Sequence, residues 1–196
     1  MRNYQRELDK IISENCIERK PTLLLHACCA PCSSYCLEYL SKHFDITVFY
    51  FNPNITVQDE YNLRLSELKR LISEMSECKG IDVIEGEYNP NAFLKRVEGM
   101  ESDDEGGSRC SKCFTFRLEE SVKMAKELNF EYVCTTLTIS PHKNAEIINT
   151  VGESLTKKYG VNWLPGDFKK KNGYKRSIEL SKQYNIYRQD FCGCVY

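Results

Sequence analysis

Three groups of cysteines stand at spacings that can do chemistry. They are His26-Ala27-Cys28-Cys29-Ala30-Pro31-Cys32 with Cys36 beyond, Arg109-Cys110-Ser111-Lys112-Cys113, and Cys192-Gly193-Cys194. The Cys110/Cys113 spacing puts two thiolates within reach of one metal or cluster. Arg109 beside them and a helix expected to begin just after them would lower both thiol pKa values. Adjacent cysteines suit mononuclear zinc less well, because its ligand pairs usually have about two to four residues between them. Neighbouring thiolates can instead bind different irons of one cluster. A set of Cys28, Cys29, Cys110 and Cys113 matches a [4Fe–4S] cluster, and structural zinc is the plainer alternative. Cys29-Ala30-Pro31-Cys32 is also a C-x-x-C beside a βαβ pattern, which suits a thioredoxin-like dithiol; that reading leaves Cys110 and Cys113 unexplained. Cys192 and Cys194 lie too close together to stabilise a fold by closing a long loop. A disulfide between them would be strained and easily reduced, which suits redox work. Further metal ligands or idle thiols are the alternatives.

The other cysteines, Cys16, Cys36, Cys78 and Cys134, stand alone and read as small buried hydrophobes. His26 and His142 read first as hydrogen-bonded structural residues and second as ligands or proton donors. Eleven cysteines among 196 residues is an odd count. The chain is too long, and its thiols too sparse, for a disulfide scaffold, so metal or redox chemistry is expected. Hydrophobic residues make up 41% and charged residues 28%, which excludes disorder and low complexity. No apolar run approaches the ~20 residues of a membrane span. The start, MRNYQRELDK, lacks the apolar stretch of a secretory signal. The expectation is a soluble cytoplasmic protein without membrane contact.

Formal net charge is −1, from 27 basic and 28 acidic residues, but the charge is uneven. Between Thr156 and Arg188 nine basic residues face only Asp167 and Glu179, a balance of +7, which leaves −8 for the remainder. Tyr159, Trp163, Phe168, Tyr174, Tyr184 and Tyr187 are interleaved there. Cations beside aromatics suit phosphate contact with base stacking. Lys169, Lys170, Lys171 and Arg176 are the candidate substrate contacts, within a basic, aromatic-rich region of about 156–196. A solvated basic helix face is the plainer alternative.

Periodicity supplies the elements that must position these groups. Tyr4, Leu8, Ile11 and Ile12 recur at helical spacing. Thr22–Ala27 reads as a buried strand, followed by a helix capped by Ser33 or Ser34 and running to about His43. Asp45–Phe51 reads as a strand, ended by Asn52-Pro53-Asn54. A helix from about Val57 to Cys78, a strand at Ile81–Ile84, an acidic loop at Glu98–Gly107 and a helix over Phe114–Leu128 follow. A strand at Tyr132–Thr136 and a helix around Glu146–Tyr159 complete the pattern. Alternation of this kind predicts one α/β domain over residues 1–196, a mostly parallel sheet with flanking helices. Ligands then sit beyond the carboxyl ends of the strands, where Cys28-Cys29, Asn52-Pro53-Asn54 and Thr135–Thr138 should converge. There is no GxGxxG and no GxxxxGK[ST], so the usual phosphate loops are missing.

The series LLLHACCAPC, FNPN, EYNLR, RCSKCFTFRLE, CTTLTISPHKN and YRQDFCGC, from about Leu23 to Cys194, resembles the QueH family of epoxyqueuosine reductases. The resemblance implies a Rossmann-like, HUP-type three-layer fold and a cobalamin-independent enzyme that reduces epoxyqueuosine at the tRNA wobble position to queuosine. It implies that Cys28, Cys29, Cys110 and Cys113 ligate a [4Fe–4S] cluster and that Cys192 and Cys194 form a redox-active disulfide. Opening an epoxide to an alkene takes two electrons and two protons, so a proton donor is needed; His26, Asp190 and a thiol are the candidates. The partners implied are tRNA bearing epoxyqueuosine and an electron donor the sequence does not identify, and a second, mononuclear metal beside the cluster stays open. The alternatives are a zinc-stabilised nucleic-acid-binding module and a thiol–disulfide oxidoreductase.

Overall fold

The computed structural model describes residues 2–196. Helix α1 (Tyr4–Asn15) is capped by the Asn3 side chain, which accepts from the Arg6 N–H at 3.1 Å. Strand β1 (Thr22–His26), helix α2 (Ala30–Leu40), strand β2 (Asp45–Tyr50), helix α3 (Gln58–Glu74) and strand β3 (Asp82–Glu85) make two βαβ units. Helices α4 (Pro90–Arg96) and α5 (Ser108–Glu127), strand β4 (Tyr132–Thr135), helix α6 (Ala145–Tyr159), strand β5 (Asn162–Trp163) and helix α7 (Gly173–Gln183) follow. The five strands lie in the order β3-β2-β1-β4-β5, every neighbouring pair parallel. This is the expected three-layer α/β architecture.

Alternation along the strands sorts the core into two layers. Leu23, Leu25, Val48 and Tyr50 face the side covered by Leu37 and Leu40 of α2 and Leu68 and Leu71 of α3. Leu24, Phe49 and Val133 face the side covered by Leu118 and Val122 of α5 and Ile148 of α6. β1 is covered on both faces, and Leu23 to His26 are fully buried. Such a strand reads as a continuous apolar run.

Several boundaries differ from expectation. α2 begins at Ala30, with Cys29 in the capping position and Pro31 in the first turn. Ser33 and Ser34 lie inside it, and their hydroxyls donate to the Cys29 and Pro31 carbonyls at 2.8 and 2.9 Å. The helix stops at Leu40, short of His43. α5 begins at Ser108 rather than Phe114, because Asp103 of the acidic loop accepts from the Arg109 N–H at 2.9 Å and from the Ser108 hydroxyl. Cys110 and Cys113 therefore sit within the first turns of a helix, not before one. α3 ends at Glu74, where Met75 turns extended; Ser76–Cys78 is a separate 3₁₀ turn. Helix α4, capped by Asn89, helix α7 and strand β5 lie outside the predicted elements. Among the described residues no helix is long and apolar enough to cross a membrane.

Candidate active site

The chain builds β1, β2 and β3 outward in one direction, then returns to add β4 and β5 on the other side. β1 and β4 thus flank the point where strand order reverses, the crevice in which open α/β sheets bind ligands. Cys28 and Cys29 follow β1 there. The Cys28 N–H donates to the Thr136 hydroxyl just after β4, at 3.3 Å, and the Cys28 sulfur lies 3.5 Å from the same oxygen. His26, fully buried, joins three strand ends. Its Nδ1 lies 2.8 Å from Thr135 Oγ1 and its Nε2 3.1 Å from the Phe51 carbonyl. A carbonyl only accepts, so Nε2 carries the proton and Nδ1 accepts from Thr135. Burial pushes the His26 pKa down to about 3. This histidine is neutral and fully engaged, the structural reading of the two.

The sulfurs of Cys28, Cys29 and Cys32 all lie within 4.8 Å of one another, with Cys28 and Cys29 3.7 Å apart. Hydrogen bonds from the Cys29 and Cys32 thiols hold Cys28 well below the usual thiol range. The proton withheld from Cys28 raises Cys29 to about 12 and Cys32 well above its ordinary value. An all-thiol set of this kind is soft and suits zinc or iron–sulfur. Cys32 lies outside the expected ligand set; its signal in the sequence is the C-x-x-C spacing with Cys29, which equally suits a dithiol.

Cys110 accepts from the Gly106 N–H at 3.2 Å. The Cys113 sulfur lies 4.0 Å from Arg117 Nη1, one turn further along α5. Neither belongs to the three-sulfur group found among the described residues. Two adjoining cavities relate the pairs. One, of about 380 Å³, is bordered by Cys28 and Cys32; the other, of about 240 Å³, by Cys110, Cys113 and Cys194. Cys192, Asn54, Arg117 and Lys143 border both. All eleven cysteines are free thiols.

Residues 184–196 form an irregular strap across this crevice. Arg64 of α3, buried and paired with Glu60 at 2.6 Å, donates to the Cys192 carbonyl at 3.1 Å and the Phe191 carbonyl at 3.2 Å. Asn54 Nδ2 also donates to the Cys192 carbonyl, at 3.3 Å, and the Gly193 carbonyl accepts from the Thr56 N–H at 3.1 Å. Gly193 has φ +96°, and a Cβ there would meet Ile55 Cγ1 at 2.8 Å, so both its conformation and its surroundings require glycine. A hydrogen bond from Cys194 pulls the Cys192 pKa down to about 6 and pushes Cys194 up.

Arg117 is buried and donates to Asn52 Oδ1, while Asn52 Nδ2 donates to the Ala27 carbonyl at 2.9 Å. It thereby ties the helix of the second cysteine pair to the turn of the first. Burial opposes the Lys143 charge, yet the Cys28 thiolate and its neighbours raise its pKa. No ion pair is found for Arg117 or Lys143 among the described residues.

The basic region is arranged differently from a free cationic face. Lys169 pairs with Asp167 at 3.0 Å, Lys171 with Asp9 at 2.7 Å, and Arg176 with Glu38 at 2.6 Å. Lys170 is exposed. Of this region, Tyr174, Ser177, Arg188 and the start of the strap, Gln189 to Cys192, border the larger cavity.

The family model described as "Epoxyqueuosine reductase QueH" matches residues 23–196. The chain belongs to the QueH family. It is 48% identical to the epoxyqueuosine reductase QueH of Streptococcus pyogenes serotype M1 over 179 residues, covering 90% of this chain and 70% of that one. It is 44% identical to that of Staphylococcus epidermidis, covering 99% of this chain and 84% of that one. The Thermotoga maritima relative is 34% identical, with 89% of each chain covered. The family places the chain among the oxidoreductases and favours neither a binding module nor a general dithiol exchanger.

Proposed function

We propose that the chain reduces epoxyqueuosine in the tRNA anticodon to queuosine in the cytoplasm, using a [4Fe–4S] cluster on Cys28, Cys29, Cys110 and Cys113 and a dithiol of Cys192 and Cys194. The observation that carries the reading is that Cys192 borders both cavities, one lined by Cys28 and the other by Cys110 and Cys113, in a chain of this family. When bound, the cluster supplies single-electron transfer and a Lewis-acidic iron. Cys32, left outside that ligand set, is a donor for a second, mononuclear metal.

The balance closes on the dithiol. Both carbon–oxygen bonds of the epoxide break, a carbon–carbon double bond forms and the oxygen leaves as water. A thiolate and a thiol become one disulfide, yielding two electrons and one proton; the second proton of the water comes from another acid, and an external donor must then reduce that disulfide. Cys192 enters as the thiolate and Cys194 as the thiol, in line with their opposite pKa shifts. The leaving oxygen takes its proton from a group on the cavity wall. Asp190 borders both cavities and His26 neither, which leaves Asp190 beside the one proton already counted from Cys194. Lys169, Lys170, Lys171 and Arg176 are proposed to meet tRNA phosphates. For three of the four, phosphate must compete with an existing carboxylate.

The test is anaerobic purification followed by iron, sulfide and zinc analysis and an assay on epoxyqueuosine-containing tRNA. A brown protein that forms queuosine, and that loses iron in Cys110→Ser and Cys113→Ser, supports the proposal. Full iron in those two variants overturns the ligand set, and a colourless zinc protein overturns the cluster.

A further inference from the structure

Three residues that border the larger cavity each carry a buried hydrogen-bonding atom with no partner in the protein: Asn54 Oδ1, Gln189 Oε1 and Arg117 Nε. Asn54 and Arg117 are each 3% exposed, and Gln189 is half-buried. Their other polar atoms are fixed elsewhere in two cases: Asn54 Nδ2 on the Cys192 carbonyl, and Arg117 Nη2 on Asn52. Buried polar atoms are nearly always paired in a folded protein. Three exceptions on residues that border one cavity describe the complement of a ligand. That ligand must offer two hydrogen-bond donors and one acceptor. A phosphate or other anion fits poorly, since it would meet Arg117 but be repelled by two carbonyl-type oxygens. A neutral polyol fits, because each hydroxyl both donates and accepts.

Resting on the function proposed above, we infer that Asn54, Gln189 and Arg117 form the subsite that reads the hydroxylated five-membered ring of the modified base. Epoxyqueuosine is a 7-deazaguanine whose aminomethyl arm ends in a cyclopentane ring bearing two hydroxyls and the epoxide. The reacting epoxide is fused to that ring, so the ring and not the guanine edge must lie against the thiols. The three residues sit there: Asn54 holds the Cys192 carbonyl, Arg117 touches the Cys113 sulfur, and Gln189 is three residues before Cys192. The two amide oxygens accept from the ring hydroxyls, and Arg117 Nε–H donates to a ring oxygen. A site built to pair hydroxyls rejects analogues that lack them, because its own polar groups are then stranded.

The experiment measures binding of two anticodon stem-loops that differ only in the ring. One carries queuosine, and the other carries the aminomethyl deazaguanine with no ring. Phosphates, bases and salt response are shared, so the ratio of the two Kd values isolates ring recognition. The wild-type protein should prefer the queuosine loop by roughly tenfold or more. Gln189→Met, close in shape but without an acceptor, should cut that ratio roughly three- to tenfold. Gln189→Glu, which keeps an acceptor oxygen, should retain it. Asn54→Ala should cut the ratio by a similar factor. A wild-type ratio near one, or equal ratios in wild type, Gln189→Met and Asn54→Ala, overturns the subsite while leaving reduction of epoxyqueuosine tRNA standing. A wild-type protein that binds neither loop and does not reduce that tRNA overturns the functional reading and the subsite together.

Discussion

Cys192 is the residue whose surroundings say most about what it does. Its thiol is pulled to about 6 chiefly by the hydrogen bond from Cys194, so at neutral pH it is largely thiolate, the nucleophilic form. Alkylation of Cys192, followed by mass spectrometry across pH, should show a midpoint near 6 in the wild type. In Cys194→Ala the midpoint should move up, and an unmoved midpoint would mean that Cys194 is not the cause. Cys192→Ser and Cys194→Ser should each keep iron content and lose multiple-turnover reduction; loss of iron instead would make the pair metal ligands. The cysteine chemistry was legible in the sequence because it is local: C-C, C-x-x-C and C-G-C spacings survive folding unchanged. What could not be read is which distant groups meet them. Arg64 reaches the Cys192 carbonyl across 128 positions of sequence. The charge sum of the basic region likewise counted Lys171 and Arg176 without the carboxylates they hold, Asp9 and Glu38, which belong to α1 and α2.

Among the elements, those with strong periodicity were legible and those set by a single cap or contact were not. α5 gained its first two turns from Asp103, six residues upstream of the Arg109 amide it caps, and no periodicity announces such a cap. The pairing of α6 with β5 depends on Gly152, where a Cβ would lie 2.4 Å from the Trp163 ring. Gly152→Ala should therefore destabilise the protein by about 1–3 kcal/mol despite alanine's better helix propensity. The lower denaturation midpoint can be followed by the fluorescence of Trp163, the one tryptophan. The sheet edge carries a pH-sensitive tie. The Arg19 hydrogen bonds hold Glu131 down at about 2, against an ordinary value of 4.5, and its carboxylate also accepts from the Thr22 N–H at 3.1 Å. A depressed acid contributes stability that is present in full above its unfolded pKa and disappears as pH falls through its folded one. The contribution of Glu131 should therefore fade between about pH 4.5 and 2. In chemical denaturation, Glu131→Gln should be less stable than wild type at pH 7 and lose less on acidification through that window; parallel pH profiles would refute the tie.

For the molecule as a whole, tRNA affinity should fall with salt, log against log, at a slope of about −0.7 to −0.9 per phosphate neutralised. Reversing Lys169, Lys170 and Lys171 to Glu should weaken binding and flatten the slope with cluster absorbance intact. An unchanged slope would show these lysines to be a solvated face. The order of the strands has a further consequence, for the time course of folding. β1 meets β2 across one short crossover, but His26 meets Thr135 only after 109 positions of chain. Closing the longer loop costs more entropy before any contact repays it. The β1–β3 half should therefore gain protection from hydrogen exchange before Trp163 reaches its native fluorescence, and simultaneous changes would exclude this order. In the interval, β1 has one bare edge, and Cys28, Cys29 and Cys32 stand ahead of the Thr136 hydroxyl and the strap that later enclose them. A half-folded chain thus presents three crowded thiols to any passing oxidant, and how quickly β4 arrives determines how many chains escape that damage.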